Sequence, residues 1–482
     1  MFVGRKEQLE QLERLWRKQK ASLVTCRGRR RIGKSTMVEE FARRSGALLL
    51  RFEGLSPRKG MNNARQLAAF AGQLALQFRE PECRFRHWAE AFATLAGKID
   101  GKRRTVVLLD EISWMGRYDP DFAGFLKVAW DQAFHPKRNL VFVLCGSVSA
   151  WIAENILNST GFVGRDSLDI VLPELSLAEC RAFWGKADAR VPAREKFDLL
   201  SVTGGVPKYL EDIDPSLSAE ENVRQLCFLP EGPLFRDFDE TFADVFGPSS
   251  GEKRTLLNAL SGGAMTAAEL SRKAGCGANG HLSSSLDELV LAGFAEKDDG
   301  VNPETGRPSG RTLYRLRDNY TRFYLRYVAP HAAAIRKGSF RFASLDQLPG
   351  WETVLGLQFE NLVLGNVRDL LPRLGYGNTL LLSSAPWRNS RKTGGRAVQI
   401  DLLLQSSRSV CVVEIKRRRE IGREVIEEVE SKVRARRVAG GKSVRTALVY
   451  EGRLHPGVEA DGYFDRVVPA ETLFDMPVVE RT

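Results

Sequence analysis

At 482 residues the chain exceeds the size at which one hydrophobic core stops growing, which sets an expectation of about three domains rather than one. With 43% hydrophobic and 27% charged residues it lies outside disordered and collagen-like compositions and reads as a soluble globular protein. The formal net charge of +12 suits a polyanionic partner, either nucleic acid or an acidic membrane surface, and does not choose between them.

Seven cysteines, an odd number, lie far apart with no C-x-x-C spacing, so disulfides and structural zinc are not expected. No apolar run reaches the roughly eighteen residues that span a bilayer. The charged Arg5, Lys6 and Glu7 stand where a signal peptide needs an apolar stretch. The expectation is a cytoplasmic protein without stable membrane insertion.

Residues 21–26 (ASLVTC) form a short apolar run ending at Gly28, and a helical pattern follows from Ser35 to Arg44. Strand, loop, helix is the opening of an α/β domain. Two more buried-strand runs, at 105–109 (TVVLL) and 140–145 (LVFVLC), are separated by helical segments, which predicts a parallel sheet with helices on both faces. From about 175 to 245 the pattern is helical, interrupted at Gly204-Gly205-Val206-Pro207.

Residues 252–292 then predict three helices (KRTLLNAL, TAAELSRKA, HLSSSLDELVLAG). A glycine- and proline-rich loop, Asp298 to Gly310, and a strand (TLYRLRD) come next. That is the winged-helix order. As a DNA reader it would place His281 to Leu291 in the major groove and use Asp298 to Arg311 as the wing. Ser283, Ser284, Ser285 and Asp287 supply little positive charge, so an interdomain spacer stands on equal terms. Tyr314, Tyr320, Phe323, Tyr324 and Tyr327 are expected in the core rather than as base-stacking platforms. After about residue 336 come a long helix around Trp351 to Leu371 and a basic hairpin region. The expected domains are 1–172, 173–247, 248–335 and 336–482.

Gly28-Arg29-Arg30-Arg31-Ile32-Gly33-Lys34-Ser35 fits G-x-x-x-x-G-K-[ST] between a predicted strand and a predicted helix. In such a loop backbone N–H groups wrap phosphates, Lys34 reaches the β and γ oxygens, and Ser35 offers its hydroxyl to Mg²⁺, with Thr36 following. Asp110 and Glu111 close the strand TVVLL, where an Asp can hold Mg²⁺ and a Glu can orient the attacking water. The strand LVFVLC ends at Gly146-Ser147, which brings a hydroxyl to the same edge of the sheet. ATP with Mg²⁺ is the implied ligand.

Phe2-Val3-Gly4-Arg5, the basic G-R-R-R-I-G-K-S-T loop, L-L-D-E and C-G-S follow one another as in the archaeal-type AAA+ ATPase family, which the first half of the chain resembles. The resemblance is to clades allied to initiator and STAND-type ATPases. It implies a P-loop AAA+ parallel sheet with a helical lid that contains Gly204 to Tyr209. It also implies that Phe2, Val3, Gly4 and Arg5 lie near the adenine, that Ser147 is a sensor, and that Arg165 is an arginine finger. A finger of that kind would act in a homo-oligomer.

Ala397 to Leu404 alternates into a turn at Ser406 to Ser409, followed by Val410-Cys411-Val412-Val413-Glu414-Ile415-Lys416. A turn centred between Ser407 and Arg408 puts Asp401 opposite Glu414 and Gln399 opposite Lys416. Residues two apart on a strand share a face, so Asp401, Glu414 and Lys416 meet there. Two carboxylates roughly 5 Å apart repel unless a cation lies between them, which predicts a Mg²⁺ or Mn²⁺ site, with Lys416 beside the metal. A solvated polar face is the plainer alternative.

The D…E-x-K arrangement is similar to the core of PD-(D/E)XK nucleases. That resemblance implies a C-terminal α/β restriction-endonuclease-like domain, with Glu360 as a further acidic ligand. Basic residues from Trp387-Arg388 to Arg396 would hold a phosphate backbone. Two readings follow: an ATPase coupled to a metal-dependent nuclease acting on DNA or RNA, or a nucleotide-gated scaffold that binds nucleic acid or a protein partner.

Overall fold

The computed structural model describes residues 2–475 apart from 19, 148, 302–307, 343, 394–395 and 436–441. The chain forms two compact units: Met1–Pro173 with Asp239–Ser250 and Asp287–Gly293, and Glu174–Phe238 with Gly251–Leu286 and Phe294–Thr482.

The first unit is built on five strands, β1 (Ser22–Arg27), β2 (Leu48–Glu53), β3 (Thr105–Asp110), β4 (Leu140–Gly146) and β5 (Asp166–Val171). All neighbours are parallel, in the order β2-β3-β4-β1-β5. The period of two in the strands sorts their side chains into two cores. Val24, Val106, Leu108, Val141 and Val143 pack with Leu9, Leu12, Phe41 and Val38 from the helices Lys6–Leu15 and Lys34–Ser45. Leu23, Val107, Leu109, Phe142 and Leu144 pack on the other face with Phe70, Leu74, Trp88 and Phe92 from the helices Asn63–Phe78 and Trp88–Gly97. A parallel α/β sheet covered on both faces is therefore present as expected. Because its strands run one way, the segments after β1, β3 and β4 all emerge at one edge.

In the second unit, Gly205 marks the break in the helical region after residue 174. Its amide donates to Glu174, its carbonyl accepts from Leu175, and a Cβ there would lie 2.3 Å from the Leu175 carbonyl oxygen, so only glycine fits. The helices Ser250–Leu260, Ala267–Ala274 and Gly280–Leu291 precede an antiparallel pair, β6 (Ala295–Val301) and β7 (Pro308–Leu316). Strand β6 occupies the start of the expected glycine- and proline-rich loop, and residues 302–307 of that loop lie outside the described residues. Ser285 is buried and donates to Glu252, which also bonds His281, so these side chains are engaged within the unit. Tyr314, Tyr320, Phe323, Tyr324 and Tyr327 are buried, as a packing role requires.

The expected long helix is two, Trp351–Gly365 and Val367–Arg373. The break falls at Asn366, whose side-chain carbonyl accepts from the Leu177 amide. Strands β8 (Leu381–Thr393), β9 (Arg396–Ser406), β10 (Ser409–Ile421), β11 (Ser443–Leu454) and β12 (Arg466–Pro469) form a mixed sheet in the order β12-β11-β10-β9-β8. The β8–β9 and β9–β10 pairs are antiparallel, and β10–β11 and β11–β12 are parallel. The helix Glu424–Ala435 lies between β10 and β11 in the chain and packs Val425 and Val429 against Ile400, Val410 and Val412. Among the described residues no helix is long and apolar enough to cross a membrane.

Candidate functional sites

The loop between β1 and the helix Lys34–Ser45 curls because three of its residues have positive φ: Gly28 (141°), Arg31 (69°) and Gly33 (86°). At Gly28 a Cβ would lie 2.7 Å from the Leu172 carbonyl oxygen, so the first glycine of the motif is required sterically as well as by its backbone angle. Ile32 is buried, Thr36 is exposed, and Lys34 is only 6% exposed. The Lys34 ammonium folds back to donate to the carbonyls of Gly28 and Arg29, at 3.1 and 3.0 Å. A buried cation ringed by loop backbone at a helix N-terminus is an anion cradle. Arg29 is buried, while Arg30 pairs with Asp244 and lies over the Trp114 ring, 5.5 Å from its centroid.

Beside that cradle, Ser35 Oγ donates to Asp110 Oδ2 at 2.6 Å. A hydroxyl and a carboxylate converging in this way supply the hard oxygen ligands that Mg²⁺ takes, so the residues fit the ion. Arg51, on β2, also donates to Asp110 Oδ2, at 2.9 Å, and reaches Glu39 and Glu53 as well. Glu111 sits at φ 49°, a left-handed conformation costly for a side chain of this kind and concentrated at functional sites. That turn directs its carboxylate to the end of β4, where it accepts from the Ser147 amide and hydroxyl.

The Arg5 guanidinium is buried and donates to the Ile32 carbonyl at 3.1 Å, tying the residues after Gly4 to the phosphate loop. Phe2 packs on the core beneath β1 and lies under the Arg44 guanidinium. Val3 is partly buried between them in sequence. Arg165 makes a two-pronged ion pair with Asp131, at 2.7 and 3.0 Å, and holds that carboxyl down at about 2.

In the mixed sheet, Val410 pairs with Gln405, Cys411 with Leu404, Val412 with Leu403 and Val413 with Leu402. These four pairs fall as the turn centre predicts, and the pairing ends one step short of Glu414 and Asp401. There the ladder gives way to a side chain: the Ile415 amide donates to Asp401 Oδ2 at 2.9 Å. Glu414 is fully buried. Lys416 Nζ lies 2.7 Å from Glu414 Oε1 and 2.8 Å from Glu428, and Lys432 reaches Glu414 Oε2 from the helix Glu424–Ala435. The Lys416 contact to Oε1 is an ion pair.

Burial pushes the Asp401 carboxyl from 3.8 up to about 8, and Glu414 and Glu360 add repulsion that Lys432 opposes. Burial also raises Glu360, against the pull of Arg315 and Arg322. Burial alone would lower the Lys416 ammonium, but Glu414 and Glu428 outweigh it and leave it raised. The repulsion between the two carboxylates that the sequence leads one to expect is met here by neighbouring lysines. Lys416 and Lys432 both stand against Glu414, and burial favours the neutral form of Asp401. Among the described residues no group of three or more His, Cys, Asp or Glu is arranged to hold a metal ion. Arg388 is paired with Glu269, and residues 394–395 of the basic stretch lie outside the described residues.

No protein-family model matches the chain. An uncharacterized protein of Methanocaldococcus jannaschii is 22% identical over 423 residues, covering 86% of this chain and 87% of that protein. An uncharacterized ATP-binding protein of the same organism is 54% identical over 41 residues, 8% of this chain and 70% of the relative. Among solved structures, the Walker-type ATPase of Pyrococcus abyssi aligns over 67% of this chain and 96% of its own at 15% identity, with a TM-score of 0.43. The ORC2 protein of Aeropyrum pernix aligns over 69% and 94% at 14% identity, with a TM-score of 0.43.

Sequence reasoning missed Arg51, Glu428 and Lys432. Glu428 and Lys432 stand four apart on one helix face, a detectable signal, but nothing local says that this face covers Glu414. Arg51 ends the run Leu48-Leu49-Leu50, which reads as a strand only once β3 is beside it.

Proposed function

We propose that the first unit binds and hydrolyses ATP as a P-loop ATPase of the AAA+ kind. The carrying observation is the convergence of Lys34, Ser35, Asp110, Glu111 and Ser147 at one edge of the parallel sheet. The 41-residue likeness to an ATP-binding protein supports the choice of nucleotide. In this reading Lys34 leaves the Gly28 and Arg29 carbonyls to hold the β and γ phosphates, and Ser35 and Asp110 hold Mg²⁺, which would neutralise phosphate charge. Glu111 orients the attacking water, and Ser147 restrains Glu111. Lys34→Ala should abolish ATP binding, and Glu111→Gln should bind ATP while losing turnover. Unimpaired hydrolysis by Glu111→Gln would overturn the assignment.

For the mixed sheet, we propose a metal-dependent nuclease centre formed by Asp401, Glu414 and Lys416, with Glu360 at its margin, acting on DNA or RNA in the same cytoplasmic protein. Two carboxylates and a lysine on facing strands support it. The internal charge balance around Glu414 favours the second reading, a nucleic-acid- or protein-binding scaffold without cleavage. Plasmid, linear and single-stranded DNA and RNA, incubated with and without ATP and Mn²⁺, decide between them. Cleavage lost in Asp401→Asn supports the nuclease, and no cleavage of any substrate supports the scaffold.

A further inference from the structure

The second unit contains a cavity of about 540 Å³ lined by Lys273, Arg315, Arg322 and Arg388 against two carboxylates, Glu269 and Glu360. That volume falls in the range of small-ligand sites, and three buried or half-buried arginines with an exposed lysine at a concave site select for an anion. Each cation is fixed in place. Arg315 is held by Asp298 at 2.8 Å and by Asn361, Arg388 by Glu269 at 3.4 Å, and Lys273 by the Ala259 carbonyl at 2.9 Å. Arg322 is 2% exposed and donates to Gln358 and the Leu316 carbonyl, yet its Nε–H has no hydrogen-bond partner. A buried guanidinium with an idle donor costs free energy unless something occupies it.

Glu360 and, on β9, Val398 and Gln399, two to three residues before Asp401, line the same cavity, with Gln399 the cross-strand neighbour of Arg388. We propose that this cavity binds a nucleotide phosphate monoester, free or at the 5′ end of a strand, and presents the attached nucleotide to the acidic hairpin. The second half of this proposal rests on the nuclease reading above. The first half does not.

The test uses full-length protein carrying Lys34→Ala, which silences the phosphate loop. Single-stranded DNA labelled at its 3′ end, with or without a 5′-phosphate, is titrated in EDTA and followed by fluorescence anisotropy. Thymidine monophosphate and inorganic phosphate serve as competitors. The phosphorylated strand should bind about tenfold tighter, the effect of one charge-assisted hydrogen bond. Arg388→Gln and Lys273→Gln should each remove most of that preference while melting like the parent. Indifference of the strands, with thymidine monophosphate still bound in an Arg388-dependent way, assigns the site to a free nucleotide and upholds the monoester. Equal binding of both strands with no bound monophosphate overturns the proposal. In Mn²⁺, phosphate preference without cleavage sinks the nuclease reading alone, and cleavage without preference sinks the pocket alone.

Discussion

Ser147 Oγ lies 3.0 and 2.8 Å from the two carboxylate oxygens of Glu111, and the Ser147 amide donates to one of them at 3.2 Å. The residue that follows β4 therefore holds the side chain that follows β3, and it does so across a left-handed Glu111 backbone. Ser147 thus restrains the Glu111 carboxylate through both its amide and its hydroxyl. Ser147→Ala keeps the amide bond and loses the hydroxyl, so kcat for ATP should fall by about tenfold with nucleotide affinity nearly unchanged. Steady-state hydrolysis beside equilibrium nucleotide binding checks this. An equal loss in affinity would make Ser147 a structural strand-end residue.

Arg51 and Ser35 share Asp110 Oδ2, so a guanidinium stands where a divalent cation would compete for the same oxygen. Arg51→Gln should lower the Mg²⁺ concentration that half-saturates nucleotide binding by about threefold to tenfold, since a partly exposed charged hydrogen bond is removed. A Mg²⁺ titration with a fluorescent ATP analogue reads this directly. A rise in the Mg²⁺ requirement would mean that Arg51 positions Asp110 rather than competing for it.

How much of this was legible follows from the range of the interactions. The phosphate loop and the acidic pair are local in sequence, and the apolar runs of β1, β3 and β4 mark them. The hairpin register was legible because alternation and turn length together fix which residues face each other. The pairs from Val410–Gln405 to Val413–Leu402 needed nothing more. Lys432 was not legible, because its contact with Glu414 depends on how the helix Glu424–Ala435 crosses the sheet. The same holds for β5, whose polar edge sequence DSLDIV becomes a strand by pairing with β1. The split of the long helix at Asn366 likewise depends on a distant amide, that of Leu177.

Arg165 offers a choice between two roles. If it serves as an arginine finger toward a neighbouring copy, it must leave Asp131, and Arg165→Ala should lower kcat by a factor on the order of a thousand with binding intact. Asp131→Asn should then raise turnover at low protein concentration, because the finger is released. If the pair is structural, both substitutions should leave kcat alone and change the melting temperature only slightly, as partly exposed pairs do. Hydrolysis measured against protein concentration separates the outcomes.

Asp401 carries the clearest pH signature in the molecule. Its carboxyl is pushed from 3.8 to about 8 in the folded chain, so between those values the folded state retains a proton that the unfolded state has lost. Stability from this group is fully present below pH 3.8 and declines as pH rises toward 8. Asp401→Asn removes that slope, and unfolding midpoints across the window should diverge from wild type, with the variant the more stable near pH 8. Divalent binding at the hairpin needs the ionised carboxylate and must release the proton, so stabilisation by Mn²⁺ should grow as pH rises toward 8. Any divalent ion taken up at the phosphate loop is common to both proteins, so the informative quantity is the difference between wild type and Asp401→Asn. A Mn²⁺ effect identical in the two at every pH would remove the metal from the hairpin and leave the retained proton, with Lys416 and Lys432, as the balance for the buried carboxylates.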